Sequence, residues 1–165
     1  MKSVLLIFAI IMQMIVTDTV HYHYYADKGE NFATQDNIQH KASRRVQIVD
    51  ADGRYLSHAY ARIQYFPRYQ GEGELWLMTD MSNGYKKIEA LGGERGKYLS
   101  HAFAKIWLQN GYQGGGEAWN VIRETDGKYL LRGLYGEKHL FLHSKNSNKL
   151  STTIGRDTYW RLIFV

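Results

Sequence analysis

The sequence predicts an all-β fold built from three four-stranded repeats around a pseudo-three-fold axis. Two observations carry this expectation. GRYLSHAYA at 53–61 returns as GKYLSHAFA at 96–104. Trp76, Trp119 and Trp160 are spaced by 43 and then 41 residues, and Leu56, Leu99 and Leu140 share those intervals. Two independent landmarks with one pair of spacings mark an internal repeat, whose period suits a small supersecondary unit.

The elements follow in order. Met1-Lys2 precedes the apolar run SVLLIFAIIMQMIV at 3–16. One early cation and a short apolar run match a secretory signal peptide, and the run falls short of the ~20 apolar residues of an ordinary span. A signal peptide over 1–19 is expected, cut between Thr17 and Val20, and with it an extracellular location. Residues 20–43 are polar and aperiodic and read as a flexible arm. The motif Lys41-Ala42-Ser43-Arg44-Arg45 is a candidate processing site for its removal. The ordered domain is expected over 44–165, with repeats at about 44–80, 85–124 and 128–165.

Each repeat holds four short runs rich in β-branched and aromatic residues: RVQIVD, RYLSHA, ARIQYF and ELWLMT; YKKIEAL, KYLSHA, AKIWLQ and AWNVIRE; KYLLRGL, KHLFLH, NKLSTTI and YWRLIFV. Such runs read as strands. Asp52-Gly53, Asn83-Gly84, Gly92-Gly93 and Asp126-Gly127 supply turn chemistry between them. The composition agrees: 13 Tyr, 16 Gly and a single Pro in a chain 44% hydrophobic. With no cysteine the domain is disulfide-free and depends on packing alone.

A GxYL motif in the second strand and Trp in the fourth resemble the β-trefoil superfamily, the GKYL form being similar to its fascin-like and hisactophilin-like branch. The fourth-strand Trp also resembles ricin-B-type lectins, although Gln does not stand two positions before any of the three tryptophans. The resemblance covers 44–165. It implies a closed barrel in which Leu56, Leu99 and Leu140 are equivalent core positions, as are the tryptophans. Gly53 and Gly96 are expected at backbone positions with φ > 0.

A second duplication is less easily assigned to folding. YQGEGELW at 69–76 matches YQGGGEAW at 112–119, in the loop before the fourth strand. The third repeat has the shorter IGRDTYW there, with neither the Tyr-Gln nor the Glu. Tyr69, Gln70 and Glu74, with Tyr112, Gln113 and Glu117, are the candidate ligand-binding residues. A tyrosine ring stacks on the apolar face of a sugar, and Gln and Glu exchange hydrogen bonds with hydroxyls. An undrifted duplication, or a loop in which Glu bonds backbone, explains the same pattern without a ligand. Tyr65, Phe66 and Trp107 precede these loops and either extend a platform or pack beneath it.

Formal net charge is +5, which suits an anionic partner. Arg54, Lys97 and Lys138 fall on one repeat position and are possible contacts to an anionic ligand such as a sulfated polysaccharide, the alternative being a solvated basic face. No metal or cofactor is expected. His21 and His23 have HxH spacing, and only cleavage after Asp18 would give the terminus Thr19-Val20-His21, a tripeptide able to hold Cu(II) or Ni(II). His143 lies one residue off the register of His58 and His101, so the three make no metal ring.

Catalysis is not expected. Ser57-His58 and Ser100-His101 are neighbours on strands, whose side chains should point to opposite faces. Glu74 and Glu117 belong to different repeats, too far apart for a glycosidase pair. The leading expectation is a secreted, non-catalytic, lectin-like protein binding a glycan or glycoconjugate through two equivalent loops. Open alternatives are a secreted protein- or glycosaminoglycan-binding effector, inhibitor or growth-factor-like module, and a fascin-like actin-binding protein, against which the leader argues. Neither nucleic acid nor a membrane span after cleavage is expected.

Overall fold

A computed structural model of the chain describes residues 42–134, 139–145 and 149–165. The expected signal peptide, nearly all of the expected arm and Lys138 lie outside the described residues. The first strand begins at Ser43, one residue before the expected boundary.

Twelve strands are present among the described residues. They are β1 (Ser43–Asp50), β2 (Tyr55–Ser57), β3 (Gln64–Phe66), β4 (Trp76–Asp80), β5 (Lys86–Ala90), β6 (Lys97–Ser100), β7 (Trp107–Asn110), β8 (Ala118–Arg123), β9 (Lys128–Arg132), β10 (Phe141–Leu142), β11 (Leu150–Ser151) and β12 (Trp160–Phe164). Six of them pair in a ring, β1 with β4, β4 with β5, β5 with β8, β8 with β9, β9 with β12 and β12 back to β1. Closure leaves this barrel without a free edge. The other six form three hairpins, β2–β3, β6–β7 and β10–β11. Each is stitched to the barrel at one position: Tyr55 opposite Val49, Tyr98 opposite Glu89, Phe141 opposite Arg132.

Alternation explains which residues point inward. In β5, KKIEA, Ile88 and Ala90 are buried while Lys87 and Glu89 are half-exposed. The core collects Ile48, Ile88 and Leu131 with Trp76, Trp119 and Trp160. Each indole N–H donates to a carbonyl in its own repeat: Trp76 to Leu56 at 3.0 Å, Trp119 to Leu99 at 2.9 Å and Trp160 to Leu142 at 3.1 Å. An unpartnered indole N–H here would cost about 1–3 kcal/mol.

That third bond corrects the repeat register. Leu142, not Leu140, occupies the position of Leu56 and Leu99, and all three are completely buried. The Leu–Trp separation is 20 residues in the first two repeats and 18 in the third. The loss is split: the hairpin partners Leu142 and Leu150 stand one residue closer in sequence than Leu56 and Tyr65 or Leu99 and Leu108, and the connection on to Trp160 is one residue shorter again. The position of Arg54 and Lys97 therefore falls on Leu140, so the expected ring of three cations including Lys138 does not exist. Gly53 and Gly96 do take left-handed φ, 83° and 84°, as expected.

Candidate functional site

The duplicated loops before β4 and β8 divide into a framework and an exposed remainder. Glu74 is 1% exposed and Glu117 is 4% exposed. Glu74 Oε2 accepts from the backbone amides of Gln70 (2.9 Å) and Gly71 (3.0 Å). Glu117 Oε2 accepts from the Gln113 amide at 3.1 Å, and its Oε1 accepts from Ser100 Oγ at 3.1 Å. In the third repeat Thr158 Oγ1 accepts from the Gly155 amide at 2.9 Å. One device thus recurs three times: the side chain two positions before Trp reaches back to the start of its loop. The longer glutamate closes the longer loop. These carboxylates are turned inward, away from the surface where they were expected.

The glycines beside them are also framework. A Cβ on Gly73 would stand 3.0 Å from Ala59 Cβ, and one on Gly116 would stand 3.2 Å from Ala102 Cβ. Each loop therefore packs against the hairpin turn of its own repeat, where the His58 amide donates to Gly73 O and the His101 amide to Gly116 O, both at 2.8 Å.

What the framework leaves over is Tyr-Gln. Tyr69 is 44% exposed and Tyr112 is 37% exposed, and Gln70 and Gln113 are exposed beside them. Tyr69 leans on Tyr55, centroids 6.0 Å apart. Tyr112 meets Tyr98 edge to face at 5.8 Å. Both corners offer an aromatic surface next to an amide that donates and accepts.

The corners differ in charge. Lys87 Nζ lies 5.8 Å from the Tyr98 centroid and 5.6 Å from that of Tyr112, within cation–π range. Tyr98 OH donates to Glu89 Oε2 at 3.3 Å, and burial, followed by the Glu89 charge, pushes its phenol up. Tyr112 OH contacts Met81 Sδ at 3.6 Å. By the pairing register Gln47 takes the place of Lys87 in the first repeat. The second corner holds a cation against its rings, whereas in the first the exposed Arg68 directly precedes Tyr69 and the exposed Glu72 follows in the same loop.

The two expected anion contacts among the described residues, Arg54 and Lys97, are otherwise engaged. Arg54 Nε donates to the buried Asp50 at 2.8 Å, and the guanidinium lies 5.6 Å over the Tyr65 ring. Lys97 pairs with Glu94. Tyr65 packs beneath rather than outward: it stacks on Trp160 at 6.1 Å and donates to His143 O at 3.1 Å, and burial pushes its phenol well up.

Both members of each Ser-His pair are buried, because His58 (φ −110°, ψ 10°) and His101 (φ −119°, ψ 8°) have already left the strand. The alternation expected of strand neighbours does not apply. Ser57 Oγ donates to Gly73 O at 3.0 Å. His58 Nε2 lies 2.9 Å from Leu75 O, and its ring stands edge-on to Trp76 at 4.7 Å. Burial holds His58 below its usual pKa.

Sequence reasoning missed the hairpin turns. Tyr60 and Ala61 have φ of 60° and 55°, and Phe103 and Ala104 have 56° and 54°. Left-handed backbone costs about 1–2 kcal/mol at a residue with a Cβ, and such turns favour Asn-Gly. Yet Tyr60 is 84% exposed and Phe103 75%. The signal was present in HAYA and HAFA, where an aromatic residue stands where a hairpin turn asks for glycine.

No protein-family model matches the chain, and no curated protein matches it. Solved structures do. BEL, a β-trefoil, aligns over 79% of this chain and 98% of its own at 12% identity, with a TM-score of 0.62. The chain is a β-trefoil. This trefoil is likewise similar to ThreeFoil, a designed three-fold symmetric protein, at 22% identity and a TM-score of 0.60, covering 72% of this chain and 97% of that one. It is similar to SeviL, solved bound to asialo-GM1 saccharide, at 15% identity and a TM-score of 0.60, covering 74% and 98%. At these identities the likeness is one of fold. Among the described residues, no helix is long and apolar enough to cross a membrane, and no cluster of three metal-ligating side chains occurs.

Proposed function

We propose that this trefoil is a non-catalytic carbohydrate-binding protein, exported by its N-terminal leader, with one site at Tyr69-Gln70 and another at Tyr112-Gln113. The observation that carries the reading is the division of the duplicated loop. Its Gly and Glu are accounted for by packing and by hydrogen bonds to backbone amides. Its Tyr and Gln are exposed, repeated and not required by that framework. An exposed ring beside an amide is the pairing that recognises a sugar's apolar face and its hydroxyls together. SeviL, with the same architecture, is a structure bound to a saccharide. Two rigidly held sites on one domain would add avidity on a dense glycan surface.

Lys87 refines the second site. Its ammonium beside Tyr98 and Tyr112 adds affinity at that site for glycans that also bear carboxylate or sulfate. The test is an array of neutral and anionic glycans, read at low and high salt, with Tyr69→Ala/Tyr112→Ala alongside. Binding to a defined sugar that the double variant loses is the expected result. Binding confined to sulfated chains, abolished by salt and intact in the variant, would instead move the function to the basic surface.

A further inference from the structure

The geometry points to a second binding surface, separate from the glycan corners: the turns of the β2–β3 and β6–β7 hairpins form a pair of aromatic–cationic tips that dock on an anionic lipid bilayer. Tyr60 and Phe103 are the most exposed large apolar side chains described. Each is followed two residues later by an exposed cation, Arg62 and Lys105. The tips lie at the closed ends of their hairpins, whereas Tyr69 and Tyr112 lean on Tyr55 and Tyr98 near the open ends.

Three features favour a bilayer as the occupant. Backbone strain holds both aromatics outward at φ 60° and 56°, where glycine or asparagine would serve the fold better. An aromatic ring flanked by Lys or Arg matches the interfacial region, where rings sit at headgroup level and cations meet anionic lipid. Rotation about the pseudo-three-fold axis leaves height along that axis unchanged, so the two tips stand level and a flat surface meets both. The chain's net charge of +5 adds long-range attraction to such a surface. The third hairpin carries no aromatic between Ser144 and Lys149.

Trp107 provides the readout. Its ring stacks on Phe103, centroids 6.4 Å apart and planes 10° from parallel, while Trp76, Trp119 and Trp160 are buried in the core. Quenching of tryptophan fluorescence by lipids brominated on the acyl chain therefore reports on the Phe103 tip. It is blind to the N-terminal apolar run, which holds no tryptophan. The full chain would be titrated with glycolipid-free phosphatidylcholine vesicles, with and without about a third phosphatidylserine. Tyr60→Gly/Phe103→Gly removes the rings while relieving the strained turns, so the variant folds. Arg62→Gln/Lys105→Gln removes the cations. Expected are quenching on anionic vesicles, affinity reduced at least about tenfold by the glycine pair, and affinity reduced about 30-fold by the glutamine pair, at roughly 1 kcal/mol per cation. Absence of quenching, equal quenching on neutral vesicles, or quenching unchanged in the glycine pair would each overturn the proposal.

Discussion

Glu74 Oε2 lies 2.9 Å from the backbone nitrogen of Gln70, and Glu117 repeats this bond to Gln113 at 3.1 Å. A buried carboxylate thus fixes the backbone of the residue proposed to meet the sugar. It acts on ligand binding through the loop and not by contact.

Removing that carboxylate should cost stability. Glu74→Ala is expected to lose about 2–3 kcal/mol, because two hydrogen bonds from the Gln70 and Gly71 amides to a buried carboxylate are lost and a buried side chain is truncated. Tyr69→Ala, at an exposed ring, should change stability by about 0.5 kcal/mol or less. Urea denaturation of both separates framework from surface. Equal losses would undo the division of the loop.

The corrected register has its own test. Leu142→Ala should cost about 2–5 kcal/mol, the range for truncating a fully buried leucine. Leu140→Ala, at a half-buried position, should cost about 1 kcal/mol. The reverse order would restore the alignment drawn from equal Leu–Trp spacing.

That alignment shows how far the residues alone carry the argument. The tryptophan spacing and the GxYL copies point to twelve strands, and twelve are found with Trp76, Trp119 and Trp160 as equivalents. A compensating coincidence hid the third register: KHL resembles KYL two residues upstream of its structural counterpart. The function of Glu74 was hidden differently. Sequence places a carboxylate in a loop but not the direction in which it turns, and here backbone amides claim it. Arg54 was read as a surface cation for the same reason, although the buried Asp50 holds it. Tyr60 escaped notice because the repetition of its nine-residue stretch was explained by the fold.

His58 makes stability depend on pH. Burial lowers its pKa in the folded state below the ordinary value of 6.5. The unfolded chain then binds the proton more readily, so stability is full above about pH 6.5 and falls as pH drops toward the folded-state value. Thermal melts from pH 8 to pH 5 should show this decline, and His58→Asn should flatten it. An unchanged slope in the variant would assign the decline to other groups.

Relieving the hairpin turns should stabilise the domain. Tyr60→Gly and Phe103→Gly are each expected to gain about 0.5–1 kcal/mol, the left-handed penalty less the entropy of an added glycine. Calorimetry should record a melting temperature higher by a few degrees. A lower melting temperature would mean that the rings stabilise the fold, and the strain would lose its functional reading.

The central claim is two equivalent glycan corners on one rigid domain, and calorimetric titration with a glycan identified on the array tests it most directly. Wild-type protein should bind at two sites per chain, with Tyr69→Ala and Tyr112→Ala each leaving one and the double variant none. Two sites persisting in the double variant, or a single site that neither substitution touches, would contradict it.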